Sequence, residues 1–312
     1  MDRIVDISTD GRRLSAFRGF MVIADSEGEV GRVPLDDVTG VVIHAHGVTW
    51  STTLVHALAE RGAPIVFCAP NHAPVAVCLP LEGHHAQNAK LRAQWSASRP
   101  LSKQLWRSLI VAKIRWQAAV LDSVGIGTGA FDLLARRVRS GDPDNVEAQA
   151  ARRYWPLLMG ADFRRDRTAG GRNGLLNYGY TVLRALCARS VVAAGLHPSI
   201  GVHHANRADA FALADDLIEP FRPLVDALVF RMASHGVEDV TPAAKRTLVR
   251  LCALDLPTPF GSTPVSLVVA RSAQSLARAF ETRTAKEFAP PIPPSRLELS
   301  ALDEVAREAA TE

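Results

Sequence analysis

The apolar residues of this chain change their period part-way along it, and that change limits the possible folds more than any other feature. Up to about residue 80 they form short β-branched or aromatic runs: RIVDIS, RLSAF, FMVIAD, GVVIHAHGV and PIVFCAP. Such runs read as strands. Turn residues separate them at Thr9-Asp10-Gly11, at Asp25-Ser26-Glu27-Gly28 and at Asp36-Asp37. One helix interrupts the series, with Ser51 as N-cap, an apolar stripe at Leu54, Val55 and Leu58, and Gly62 as C-cap. Alternation stops after Cys78, and Pro80 ends the sheet. From about residue 103 the period is helical, with Leu105, Ile110, Ile114, Ala118 and Leu121 on one stripe. Further helices are expected at roughly 129–139, 144–158, 174–194, 209–232, 241–253 and 263–281, punctuated by glycines.

Strands and helices in separate blocks predict an α+β fold rather than a doubly wound sheet. The expected organisation is a small β-rich domain at 1–80, a hinge at 81–102, and a larger all-α domain at 103–281. After residue 282 the FAPPIPPSRLEL stretch and the Ala/Glu-rich end predict a flexible tail with one weak helix at most. With 47% hydrophobic and 22% charged residues in 312, disorder, collagen and coiled coil are excluded. Four cysteines are too few for a disulfide scaffold, which points to a reducing compartment. No apolar run reaches the roughly 18 residues of a membrane span, and the MDRIVDIS start lacks signal-peptide anatomy. A cytoplasmic location is the expectation.

The positive charge is concentrated. Residues 151–172 (ARRYWPLLMGADFRRDRTAGGR) carry six Arg against two Asp, which is the whole of the net charge of +4. Arg is the side chain whose planar fork suits phosphate. A local stripe of it points to a polyanion such as nucleic acid, with a solvated Arg face paired to Asp as the alternative.

Four histidine clusters compete as sites. His44 and His46 sit two apart on an expected strand. Cys68, His72, Cys78, His84 and His85 have zinc-binding types, but their spacing fits no compact finger. His84-His85 follow Gly83 at the hinge, which suits an interface or capping role. The fourth place is GLHPSIGVHHANRADAFALADDLIEPFRP, residues 195–223. There Asp215, Asp216 and Glu219 lie on nearby faces of one helix, among Phe211, Leu213, Leu217, Ile218 and Phe221. Buried carboxylates need a cation, either a metal or Arg222. Pro220 and Pro223 remove backbone donors and predict a kink just past Glu219. His203 and His204 precede this helix across a short loop. One imidazole with two or three carboxylates suits Mg²⁺ or Mn²⁺, whereas a helix N-terminus with solvated acids would need no metal. Taken alone, Glu147 reads first as an acid favouring a helix N-terminus, and Tyr178, Tyr180 and Trp155 read as core.

The 195–223 stretch resembles the large integrase subunit of CRISPR adaptation, the family that inserts new spacers into the array. NVEAQAARRYWPLLMG (145–160) is similar to its glutamate-bearing helix, and GRNGLLNYGYTVLRALCARSVVAAGLHPSIG (171–201) to the helix leading to its histidine. RVPLDDVTGVVI, LVHALAERGAPIVFC and LPLEGHHAQ resemble its β-domain and linker in the style of type II systems. The resemblance spans about 1–280. It implies a β-domain that forms a homodimer and an α-helical catalytic domain. Its Glu-His-acid metal site falls on Glu147, His204 (fourth residue of Gly-x-x-His) and Glu219, with Asp216 in support. His203 and Asp215 remain neighbouring candidates. The resemblance further implies an Mg²⁺- or Mn²⁺-dependent endonuclease and integrase. That enzyme would act on double-stranded DNA with a small ferredoxin-like partner in a hetero-hexamer, and in type II-like members with the RNA-guided effector nuclease and a further small DNA-binding protein. Arg152, Arg153, Arg164, Arg165 and Arg167 are the expected DNA backbone contacts. The alternatives are a stand-alone metal nuclease of branched DNA and a non-catalytic DNA-binding scaffold.

Overall fold

The computed structural model describes residues 3–69, 74–81, 86–204, 209–259 and 261–311. The N-terminal part contains β1 (Arg3–Ile7), β2 (Arg13–Phe17), β3 (Phe20–Ala24), β4 (Glu29–Pro34), β5 (Val38–Ile43), β6 (Thr49–Trp50), α1 (Thr52–Glu60), β7 (Ile65–Cys68) and β8 (Pro74–Cys78). These strands form two four-stranded sheets, in the orders β1-β5-β7-β8 and β4-β3-β2-β6. The β2–β3 hairpin closes on Arg18 and Gly19, both at positive φ (49° and 82°), the twist that a two-residue hairpin turn requires.

In the first sheet β1, β5 and β7 run parallel, and α1 makes the crossover. Ser51 caps α1 as expected, its hydroxyl accepting from the Leu54 amide at 3.2 Å. All six residues of β5 are buried, as a parallel strand covered on both faces requires. Alternate side chains divide between two cores. Val41 and Ile43 pack with Leu14, Met21, Leu54 and Leu58, whereas Ile4, Val42 and Val66 join the core of the helices. The sheet is therefore the floor on which the helical part rests.

The helical part comprises α2 (Gln87–Trp95), α3 (Arg99–Ser123), α4 (Gly129–Arg137), α5 (Val146–Met159), α6 (Arg172–Ala193), α7 (Ala212–Ile218), α8 (Arg222–Ser234), α9 (Pro242–Arg250), α10 (Val265–Thr282) and α11 (Arg296–Thr311). Three expectations need correction, and a fourth is met. The 81–102 hinge contains α2, and α3 starts at Arg99, where Ser98 caps the Leu101 amide and Pro100 stands in the first turn. The kink expected just past Glu219 is present as a 3₁₀ turn at Glu219–Phe221, where Pro220 and Pro223 break the 209–232 stretch into two helices. A hairpin of β9 (Asp255–Thr258) and β10 (Gly261–Pro264) interrupts the all-α stretch. The expected tail forms α11, which buries Leu299, Leu302, Val305, Ala306 and Ala309 against α8, α9 and α3. Its apolar residues recur at helical spacing, and that stripe outweighs an Ala/Glu-rich composition.

Candidate metal and nucleic-acid site

Two acids reach the centre from different directions. Glu147 is in the first turn of α5, where Asn145 caps the helix at φ 50° and the Asp142 carboxylate accepts from the amides of Val146 (2.9 Å) and Glu147 (3.0 Å). Glu219 lies in the 3₁₀ turn between α7 and α8 and is buried. Lys113, from the middle of α3, stands between them. Its Nζ is 2.5 Å from Glu147 Oε1 and 2.5 Å from Glu219 Oε2, so those two oxygens lie no more than 5.0 Å apart. Arg222 Nε donates to the other Glu219 oxygen at 2.8 Å. Burial pulls the Glu219 pKa upward, but Arg222 and Lys113 outweigh it and hold the carboxyl well below its ordinary value. Burial pulls the Lys113 pKa downward, and Glu219 with Glu147 reverses this, so the ammonium stays charged.

The histidine loop is built around Asp216, which is fully buried on α7. Its carboxylate accepts from the amides of Val202 (2.6 Å), His203 (3.1 Å) and His204 (3.2 Å), and pairs with His204 Nδ1 at 2.7 Å. That bond raises the His204 pKa and leaves Nε2 as the nitrogen for a cation. A Cβ at position 201 would sit 2.5 Å from the His204 carbonyl oxygen and 2.8 Å from Asp216 Oδ2, which is why glycine begins the Gly-x-x-His stretch. From α2, the Gln94 amide donates to the carbonyls of His197 (3.0 Å) and Ile200 (2.7 Å) and accepts from the His197 amide (2.9 Å), clamping the start of the loop.

His203 stacks on Trp106 of α3, with ring centroids 4.0 Å apart and planes 4° from parallel. His204 is thus the histidine bonded to the buried carboxylate. Asp215 pairs with Arg184 of α6, to which Asp209 also bonds at 3.2 Å, so Asp215 is engaged away from the glutamates. Among the described residues no three His, Cys, Asp or Glu side chains are gathered closely enough to hold a metal ion. An ammonium stands between the two glutamates, and His204 is turned to Asp216. The chemistry of the donor set nevertheless fits a hard divalent cation: two carboxylates converge on one positive charge, beside an imidazole already oriented by a third acid.

A cavity of about 500 Å³ opens here, with His204, Glu219, Arg165, Arg167, Arg184 and Arg222 in its wall. Arg165 reaches it because its guanidinium donates to Asn173 (3.0 Å) and Asn177 (2.6 Å) of α6. The other expected arginines lie elsewhere. Arg152 and Arg153 are exposed on α5 beyond the cavity wall, and Arg164 turns back to the carbonyls of Ala161 and Phe163. Under the cavity Arg222 lies over the Tyr180 ring, 4.6 Å from its centroid, and Tyr180 donates to buried Asp226. Burial pushes the Asp226 carboxyl up to about 7.

The sequence reading missed Lys113, Trp106 and Arg184. The available signal was Lys113 on the apolar stripe of α3, one of only five lysines in the chain. The remaining histidines form no such centre. His44 lies just past β5, buried against Tyr178 with Nε2 3.4 Å from Asp6 Oδ1, while His46 is exposed. Cys68 is a buried free thiol and Cys78 a half-buried one; His72, His84 and His85 lie outside the described residues. Tyr178 and Tyr180 are buried as core reading predicts, and Trp155 packs on Phe163.

Comparison with known proteins identifies the family. A CRISPR-associated endonuclease Cas1 of Neisseria meningitidis serogroup C is 38% identical over 245 residues, covering 77% of this chain and 80% of its own. A second, from Pyrobaculum aerophilum, is 29% identical over 293 residues and covers 88% and 98%. In fold the chain resembles a casposase bound to its integration product (TM-score 0.78, 20% identity, 97% and 99% covered). It also resembles a Cas1 protein from Thermotoga maritima (TM-score 0.73, 14% identity, 89% and 96% covered). The family profile described as CRISPR associated protein Cas1 matches residues 5–246, and the chain belongs to that family.

Proposed function

We propose that this protein is a divalent-metal-dependent DNA integrase and endonuclease, which joins the 3′-hydroxyl ends of a short DNA duplex to the repeat of a CRISPR array. One observation carries the reading: Glu147 and Glu219 converge on a single cation beside His204, at the wall of an arginine-lined cavity. Glu147, Glu219 and His204 Nε2 would hold Mg²⁺ or Mn²⁺. Such an ion polarises a phosphoryl oxygen and favours the alkoxide of the attacking hydroxyl, a contribution of several kcal/mol.

The chain's own residues do the rest. Asp216 fixes the ring of His204 through Nδ1, and Arg222 keeps Glu219 ionised. Arg165 and Arg167 offer guanidinium groups to backbone phosphates, which positions DNA without reading its sequence. In the joining step the 3′-oxygen bonds to phosphorus and gives its proton to solvent, while the bond from phosphorus to the repeat strand's leaving oxygen breaks and that oxygen takes up a proton from solvent. No protein nucleophile is required. Water in place of the 3′-hydroxyl gives hydrolysis of branched DNA, consistent with the endonuclease names of the relatives.

A homodimer through the β-domain accords with the exposed apolar side chains of Phe17, Val30, Trp50 and Val75. The family's small ferredoxin-like subunit is the expected further partner; a Cas6-RT-Cas1–Cas2 complex contains a chain of similar fold (TM-score 0.74). Among the described residues no helix is long and apolar enough to cross a membrane.

The test is integration into a repeat-bearing plasmid. Glu147→Ala, His204→Ala and Glu219→Ala should each abolish strand joining while leaving metal-free DNA binding in place. Full joining by the Glu219 variant would refute the metal reading, and joining indifferent to the repeat would favour a general nuclease.

A further inference from the structure

We propose that Lys113 is the resident counter-ion of the Glu147–Glu219 pair, that a divalent cation must displace it to bind, and that a DNA phosphate completes the exchange. This rests on the reading of Glu147, His204 and Glu219 as a cation site. Lys113 is 8% exposed, and its ammonium contacts both glutamates. Trp106 of the same helix stacks on His203 and so ties α3, though not the Lys113 side chain, to the histidine loop.

The charges set the coupling. Glu147 and Glu219 carry two negative charges, and Lys113 with Arg222 carries two positive ones. The group is neutral as it stands. Adding a divalent cation to these four groups leaves two positive charges in excess, and one once Lys113 withdraws, which is costly at a buried place unless something compensates. Lysine is a point charge on a flexible stem and can withdraw. The cavity that Glu219 borders is lined by Arg184 and Arg222, paired to Asp209, Asp215 and Glu219, and by Arg165 and Arg167, which have no acid partner among these, so the compensating group it admits beside those two is an anion such as a backbone phosphate. The free protein therefore binds the cation weakly, and DNA strengthens that binding. By linkage, the cation strengthens DNA binding by the same factor.

The experiment is calorimetric titration of the full chain with Mn²⁺, with and without a blunt DNA duplex ending in 3′-deoxy nucleotides. The wild type should bind Mn²⁺ about tenfold tighter with the duplex. Lys113→Met should bind Mn²⁺ about tenfold tighter than the wild type without DNA, and should lose most of the gain from DNA. Lys113→Gln and the rise in melting temperature on adding Mn²⁺ give the same reading if the Met variant is unstable, since the bare glutamate pair lowers the metal-free value and Mn²⁺ restores it. Equal Mn²⁺ affinity in the wild type and both variants, with Glu219→Ala abolishing it in each, overturns the role of Lys113 and leaves the cation site standing. Mn²⁺ binding that survives Glu219→Ala, or that is absent even with the duplex, removes the site and this proposal with it.

Discussion

His204 and Asp216 form the bond on which the histidine loop depends: Nδ1 lies 2.7 Å from Oδ1, and the same carboxylate collects the amides of Val202, His203 and His204. Asn at 216 has one carbonyl oxygen to offer where four donors converge. Asp216→Asn should weaken Mn²⁺ binding about 10- to 100-fold and lower the His204 pKa, read by calorimetry and by NMR titration of the ring. The pH dependence follows from the raised pKa. In the metal-free protein the bond stabilises the fold fully below the ordinary histidine pKa of 6.5, and this is lost as pH rises through the higher folded value. Urea unfolding across that range should show the loss in the wild type and not in the variant.

Gly201 is required by contact. Gly201→Ala drives a methyl group into the His204 carbonyl and Asp216, and should cost about 1–3 kcal/mol. Gly127 has open space around it, so Gly127→Ala should stay within about 0.5 kcal/mol of the wild type. Equal thermal unfolding of the two variants would contradict the packing described at Gly201.

The cavity arginines and the exposed ones should separate by salt. Arg165→Ala and Arg167→Ala should each lower the slope of log binding constant against log salt by about one. Arg152→Ala, outside the cavity wall, should leave it nearly unchanged. The measurement is duplex binding by fluorescence anisotropy over a salt series.

Asp226 is buried with its carboxyl pushed up to about 7. A carboxylate with a raised folded pKa binds more protons folded than unfolded, so stability falls as pH rises from about 4 towards 7. Asp226→Asn should remove that fall, so the variant should lose less stability than the wild type between pH 5 and pH 8. Denaturant midpoints at those two pH values check it.

The C-terminal helix is part of the core. Leu302→Ala on α11 removes a side chain that is 2% exposed and should cost about 2–5 kcal/mol. A melting temperature unchanged by it would mean that α11 does not stay docked in solution.

Much of the architecture was legible in the sequence, because hydrophobic period is a local property. The switch from strand runs to a helical stripe announced the α+β layout, Ser51 announced the start of α1, and the prolines at 220 and 223 announced the break after α7. Motif order singled out Glu147, His204 and Glu219, and packing brings the two glutamates onto one ammonium. The tail was misread because composition was weighed above the stripe that α11 buries.

What the sequence determined by itself is which side chains the site can draw on, and the local signals that place them at helix starts and breaks. Tertiary packing alone decided which of them meet. It put Lys113 of α3 between Glu147 and Glu219, paired Asp215 with Arg184, stacked His203 on Trp106, and left His204 to Asp216. The reason is physical: a buried charge takes whichever opposite charge the packing brings within reach, and that partner can stand a hundred residues away in the chain.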